Sequence, residues 1–317
     1  MPDTPQSVSP VPRVPLHVGV VAPESGEAVR QLEELGVDSL WVGGHLASPN
    51  PSPEPMVWLA RLAEQTRRVA VGTATLVLPW YPPAVAAKQL ADIDRASGGR
   101  VIVGVGAGGE YADDFAAAGV PIDERWTRLD ESIDLLRRFW SSQPVEHDGR
   151  HFHYDMLRIH PPPAQRGGPP IVVTGRKTGA MRRAAHRGDG WMPYLYSPER
   201  YARSVATITE MAAERDRALD DFRWMVYAMV AVDDDPGAAR RVALDFLGAT
   251  YGQDFTGFVE RVTVTGNLDQ VVDRLGAYVH AGAQQFVLLP CSASRSDVLA
   301  PWLPALVTGL RALHAGR

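Results

Sequence analysis

The sequence predicts an α/β protein of the (β/α)8 barrel class, and three observations carry that reading. Short β-branched runs alternate with amphipathic helical stretches along the chain, and the order is never broken. Eight such runs occur, the number a closed parallel barrel needs. The central one, Gly98–Glu110 (GGRVIVGVGAGGE), passes directly from Val101–Val105 into a glycine cluster. That pattern marks a buried parallel strand ending in a loop where backbone closely approaches a ligand; a tight turn that needs glycine's conformational freedom fits the same residues. With 317 residues the chain could form one large barrel or two ordinary domains, and the alternation favours the barrel.

Taken in order, Leu16–Ala22 is the first strand, and Glu27–Leu35 a helix stopped by Gly36. Asp38–Val42 is the second strand, followed by a proline-rich loop, Pro49–Pro55, and helix Met56–Thr66. Val69–Leu78 is the third, and Tyr81-Pro82-Pro83 opens the helix to Ser97. After the central strand comes helix Asp123–Trp140, with Trp126, Leu129, Ile133, Leu136 and Trp140 at core-facing spacing. An excursion follows, in which Val145–His147 and Arg150–Tyr154 flank an Asp148-Gly149 turn, a hairpin signal between helix four and strand five. Ile171–Thr174, Gly190–Pro193, Trp224–Val232 and Gln285–Leu289 supply strands five to eight. Their helices are Ala180–Arg187, Ser197 to about Leu219, Pro236–Gly248, Leu268–Ala281 (capped by Asn267) and a final Val298–His314. Ala249–Thr265 has no assignable pattern.

Composition narrows the function. A net charge of −5 with no basic block argues against nucleic acid as a partner. No run of some eighteen apolar residues is present to span a membrane. The first fifteen residues (MPDTPQSVSPVPRVP) have no apolar signal core and read as a disordered tail before one barrel domain over 16–317. The lone Cys291 cannot form an internal disulfide, suits a reducing, cytoplasmic compartment, and reads as a buried small hydrophobe.

In a barrel the chemistry lies just after the apolar runs. Those positions hold Pro23–Glu24, Gly43–His45, Ala74–Thr75, Gly106–Glu110, Thr174–Lys177, Trp191–Tyr194, Asp233 and Cys291. No HExxH, paired cysteines, Walker loop or GxSxG occurs, so metal, nucleotide-loop and serine-hydrolase chemistries lack support, and no metal is expected. Gly175–Gly179, with Arg176 and Lys177, leads into a helix N-terminus, an arrangement that suits a phosphate; an ordinary βα turn capped by Thr178 is the alternative. His45, beside two glycines, can donate a hydrogen bond or pass a proton near neutral pH, or simply bond loop backbone. Trp41, Trp191 and Tyr194 could line a pocket or belong to the core.

Taken together these pieces resemble the luciferase-like monooxygenase superfamily of flavin- and deazaflavin-dependent barrel enzymes. The likeness rests on DSLWVGGHL (Asp38–Leu46), GTATLVLPWYPP (Gly72–Pro83), KQLADIDRASGGRVIVGVGAGG (Lys88–Gly109), RWTRLDESIDLLRRFW (Arg125–Trp140), Val145–Pro163, PIVVTG (Pro170–Gly175), DGWMP (Asp189–Pro193) and Gly266–Pro290. It covers nearly all of the chain after the tail. The resemblance implies a homodimeric barrel with the hairpin insertion and either coenzyme F420 or FMN as redox carrier, and His45 is similar to the histidine at the deazaflavin ring in the F420 branch. It implies a non-proline cis peptide at Ala74–Thr75 behind the ring. It also places Gly106, Ala107, Gly108 and Gly109 with Thr174, Gly175, Arg176 and Lys177 around the ribityl chain and phosphate. Two positions depart from the pattern: Gly44 stands where many F420-binding relatives have aspartate, and Gly109 where the sugar-phosphate dehydrogenases have glutamate. These departures weigh against alcohol oxidation by that acid–base pair. They leave open hydride delivery to an unsaturated or carbonyl substrate, or oxygen chemistry.

The resulting expectation is an F420-dependent oxidoreductase passing a hydride between the deazaflavin and a small organic substrate. The alternatives are a two-component FMN monooxygenase, served by a separate reductase, and a catalytically silent cofactor-binding protein.

Overall fold

The computed structural model describes residues 16–48, 52–292 and 300–315. The expected tail over 1–15 and the predicted helix start at Val298 lie outside them.

Among the described residues there are twelve strands: β1 (His17–Val21), β2 (Ser39–Val42), β3 (Ala70–Thr73), β4 (Leu76–Val77), β5 (Val101–Gly106), β6 (Val145–Asp148), β7 (His153–Leu157), β8 (Ile171–Thr174), β9 (Gly190–Met192), β10 (Arg223–Val232), β11 (Val264–Gly266) and β12 (Gln285–Pro290). Parallel pairing runs β1–β2–β3–β5–β8–β9–β10–β12 and returns to β1, which closes an eight-stranded barrel. β4 prolongs the path of β3 beyond a break and pairs with β5, while β11 adds outside the ring to the end of β10. The helices are α1 (Gly26–Glu34), α2 (Pro55–Gln65), α3 (Pro83–Ser97), α4 (Ala112–Ala117), α5 (Arg125–Trp140), α6 (Thr178–Arg187), α7 (Pro198–Ala213), α8 (Pro236–Tyr251), α9 (Val259–Val262), α10 (Leu268–His280) and α11 (Leu303–Ala315). None of the described helices is long and apolar enough to cross a membrane.

Strand alternation makes two apolar layers. Val18, Val20, Leu40, Val103, Phe286 and Leu288 face the helices, whereas Val21, Trp41, Ile102, Val172, Met225 and Val287 fill the barrel interior. Small residues make room for the Trp41 indole. A Cβ at Gly19 would lie 2.6 Å from its Nε1, and one at Gly72 would lie 2.5 Å from its Cζ3. The indole N–H donates to Ser39 Oγ at 2.8 Å, so the buried polar atom is satisfied.

The insertion between α5 and β8 is the antiparallel β6–β7 hairpin. Glu131 of α5 pins it, accepting the N–H groups of His151 (3.1 Å) and Phe152 (3.0 Å) and pairing with His147 Nε2 at 2.8 Å. The stretch left unassigned over 249–265 contains the end of α8, then α9 and β11. α7 stops at Ala213, earlier than the predicted Leu219. There Asp216 takes a positive φ of 53° and the Arg217 N–H folds back to Ala212 O. Trp126, expected in the core stripe of α5, is exposed instead and lies between the Arg125 and Arg183 guanidinium groups at 5.1 and 4.9 Å.

Candidate active site

The C-terminal strand ends converge on the break between β3 and β4. The Ala74–Thr75 peptide is cis there, as the resemblance implies. Ala74 N–H donates to Val42 O at the end of β2 (2.6 Å), and Thr73 Oγ1 and Thr75 Oγ1 both donate to Gly104 O (2.8 and 3.1 Å). Thr174 Oγ1 of β8 bonds to Val105 O at 3.0 Å and Thr75 Oγ1 at 3.1 Å. Four of the predicted positions, Ala74, Thr75, Gly106 and Thr174, therefore form one continuous patch. Glycine is required within it: a Cβ on Gly106 would sit 2.8 Å from Thr174 Oγ1, and one on Gly104 would sit 2.0 Å from Thr73 O.

His45 stands in the loop after β2, two residues beyond Gly43, where a Cβ would lie 2.6 Å from Ala74 O. Its N–H donates to Ser52 Oγ at 2.8 Å. Its ring lies 4.9 Å from Tyr111 in an edge contact and 6.5 Å from Trp80. Its Nδ1 is 2.8 Å from Asp114 Oδ2, while Asp114 Oδ1 accepts the N–H groups of Leu46 and Ala47, each at 2.8 Å. The Asp114 side chain is 2% exposed and that of His45 29%. A buried carboxylate with three donors is satisfied, each charge-assisted bond contributing on the order of 1.5–3 kcal/mol. Asp114 is not visible in the sequence, since α4 has only six residues and no repeating apolar pattern.

Gly44 and Gly109 are glycine for local reasons. A Cβ at Gly44 would lie 2.0 Å from Pro53 O, so the backbone at 53 occupies the space an aspartate would need. Gly109 has φ +107°, a left-handed conformation that side chains rarely adopt, and a Cβ there would meet Arg125 Nε at 3.0 Å. Gly108, at φ +64°, packs over Val77 and Phe115, and Ala107 between these glycines and β5 is buried.

Gly175 (φ +124°) lets the chain turn from β8 into α6. Lys177, not Thr178, occupies the N-cap, and no side chain caps that end of the helix. Lys177 is exposed, whereas the Arg176 guanidinium lies 4.8 Å over the Tyr194 ring. Tyr194 and Tyr227 pair through an isolated parallel bridge, and Tyr251 at the end of α8 packs onto the same inner cluster. Burial, with the neighbouring Tyr227, Tyr194 and Glu110 in the same sense, pushes the Tyr251 hydroxyl far above an ordinary phenol, and Arg176 opposes that shift. Of these phenols the sequence points only to Tyr194, because Tyr251 falls in a stretch without a pattern and Tyr227 looks like any strand aromatic. Trp41 and Trp191 are wholly buried core, the latter donating to Gly175 O at 2.9 Å.

Residues 7–285 match the luciferase-like monooxygenase family model. The chain belongs to that family. A luciferase-like relative from Intrasporangium calvum, named F420-dependent glucose-6-phosphate dehydrogenase, is 32% identical over 219 residues, which cover 65% of this chain and 65% of that protein. An F420-dependent secondary alcohol dehydrogenase, solved in complex with an F420–acetone adduct, has a TM-score of 0.80 at 19% identity over 92% of this chain and 99% of its own. The oxygenating constituent of 3,6-diketocamphane monooxygenase from Pseudomonas putida, solved with FMN, has a TM-score of 0.75 at 20% identity over 93% and 96%. The two structures share the luciferase-like fold.

Proposed function

We propose that this luciferase-like protein is an F420-dependent oxidoreductase acting on a small organic substrate at the barrel mouth. The observation that carries the reading is His45, held at Nδ1 by Asp114 in the loop whose Gly43 packs on the carbonyl of the cis-bonded Ala74. The name of the Intrasporangium relative supports the choice of cofactor. The residues fit such a group: the N-terminus of α6 has no side-chain cap and is flanked by Arg176 and Lys177, and the loop after β5 offers backbone without side chains at Gly106, Gly108 and Gly109, whose Cβ directions are already taken by Thr174, Val77 and Arg125. Coenzyme F420, when bound, supplies hydride transfer, and the protein supplies binding, orientation and exclusion of water.

In this reading the ring rests against Ala74–Thr75, with His45 at its edge as the proton-handling group. The amides of Ala107–Gly109 and the Thr174 and Gly175 backbone track the ribityl chain. The uncapped first turn of α6, with Arg176 and Lys177, holds the phosphate. The substrate lies over the exposed face of the ring. Position 109 sits at φ +107°, a conformation that a glutamate would adopt only with strain, which supports a substrate other than a sugar phosphate. The single cysteine fits a reducing cytoplasmic compartment.

The test is a turnover screen with oxidised F420 against alcohols and sugar phosphates, and with reduced F420 against ketones and enones. Turnover with F420, absent when FMN replaces it, is the expected result. Oxygen consumption driven by reduced FMN, with no F420 turnover, would overturn the proposal.

A further inference from the structure

We infer that Asp114 is the positioning residue that fixes the tautomer of His45, making Nε2 the atom that exchanges a proton at the site. The inference deepens the proposed function, but its geometry stands without any cofactor. Asp114 Oδ1 is committed to two donors that cannot change role, the backbone N–H groups of Leu46 and Ala47. Its other oxygen, Oδ2, faces His45 Nδ1 at 2.8 Å. A carboxylate only accepts, so Nδ1 must carry the hydrogen, and the lone pair of the neutral ring is left on Nε2. The ring cannot obtain this support from the preceding position, because a side chain at Gly44 would run into Pro53 O. The carboxylate is delivered from α4, sixty-nine residues further along the chain.

Asp114→Asn tests the assignment because it preserves shape and reverses one donor. The amide offers a single acceptor oxygen, and the two backbone N–H groups claim it. The amide NH2 then faces Nδ1 and forces the proton of the neutral ring to Nε2.

The direct readout is imidazole 15N NMR of the protein without cofactor, with the His45 signals identified by their loss in His45→Gln. Spectra are compared at a pH where titration shows the ring to be neutral. Wild type is expected to show a protonated Nδ1 and an unprotonated Nε2, and Asp114→Asn the reverse. With F420 bound, Asp114→Asn should lower turnover by about 10²–10⁴-fold, the range of a general acid–base contribution. F420 affinity should change less than twofold, and the loss should not add to that of His45→Ala.

A wild-type ring protonated on Nε2 would overturn the assignment even if Asp114→Asn failed to fold. So would a reversed tautomer with unchanged turnover. Absence of any F420 turnover in wild type would strike the cofactor reading alone, because the tautomer is measured without it.

Discussion

His45 has one ring nitrogen fastened to a buried carboxylate while the ring stays part-exposed, an arrangement that suits proton transfer without loss of orientation. His45→Ala should therefore keep the fold, since the ring is part-exposed and Asp114 retains its two backbone donors. Turnover should fall by about 10²–10⁴-fold. A steady-state assay beside a thermal melt checks this, and unchanged turnover would remove His45 from the mechanism. Gly44→Asp, which would restore the acidic residue of many relatives, should instead lower stability by roughly 1–3 kcal/mol, because its Cβ would displace the backbone at Pro53. A chemical denaturation midpoint equal to wild type would contradict it. His45 was legible in the sequence because a polar residue after an apolar run and two glycines marks a strand end. Its partner was not: Asp113 and Asp114 are adjacent, and nothing local shows which is solvated and which is buried.

Among the elements, the turn from β8 into α6 carries the proposed phosphate site. Its first-turn amides have no side-chain acceptor, and Arg176 and Lys177 flank it. Reversing both charges (Arg176→Glu with Lys177→Glu) should weaken F420 binding, and more so at low salt than at high, because the partly exposed cations are screened. Affinity measured across a salt series checks this, and an unchanged affinity would place the phosphate elsewhere. Most barrel strands were readable because a buried parallel strand is a compact β-branched run, but the single third strand read over Val69–Leu78 is broken after Thr73 into β3 and β4, where the cis Ala74–Thr75 peptide interrupts the ladder. The helices around 111–117 and 249–262 were harder to read. α4 is a single short stretch, and α9 is held by burial of Val259 against the inner cluster, not by its own periodicity. Trp126 shows the opposite error, since helical spacing puts it on the apolar stripe while the ring is exposed and packs with two guanidinium groups.

At the scale of the whole molecule, burial shifts ionisations in both apolar layers, at Cys291 inside the barrel and at Tyr278 on the helix-facing side. Burial pushes the Cys291 thiol up to about 12, and Tyr278 likewise to about 12. The neutral thiol is favoured in the folded state, so its contribution is fully present below the unfolded value of ~8.5 and is lost as pH rises toward the folded one. Between pH 8.5 and 9.5, before phenols ionise in the unfolded chain, Cys291 should cost roughly 1 kcal/mol of stability. Urea midpoints across that window should fall in wild type and fall less in Cys291→Ala; equal slopes would contradict the account.

The measurement that bears most directly on the central claim is a fluorescence titration of the purified protein with coenzyme F420 and, separately, with FMN. Tight binding of F420 with weak binding of FMN is predicted, and the F420 affinity should drop in the Arg176→Glu, Lys177→Glu double variant. Tight FMN binding without F420 binding would contradict the deazaflavin reading, and binding of neither would remove the proposed function while leaving the barrel intact.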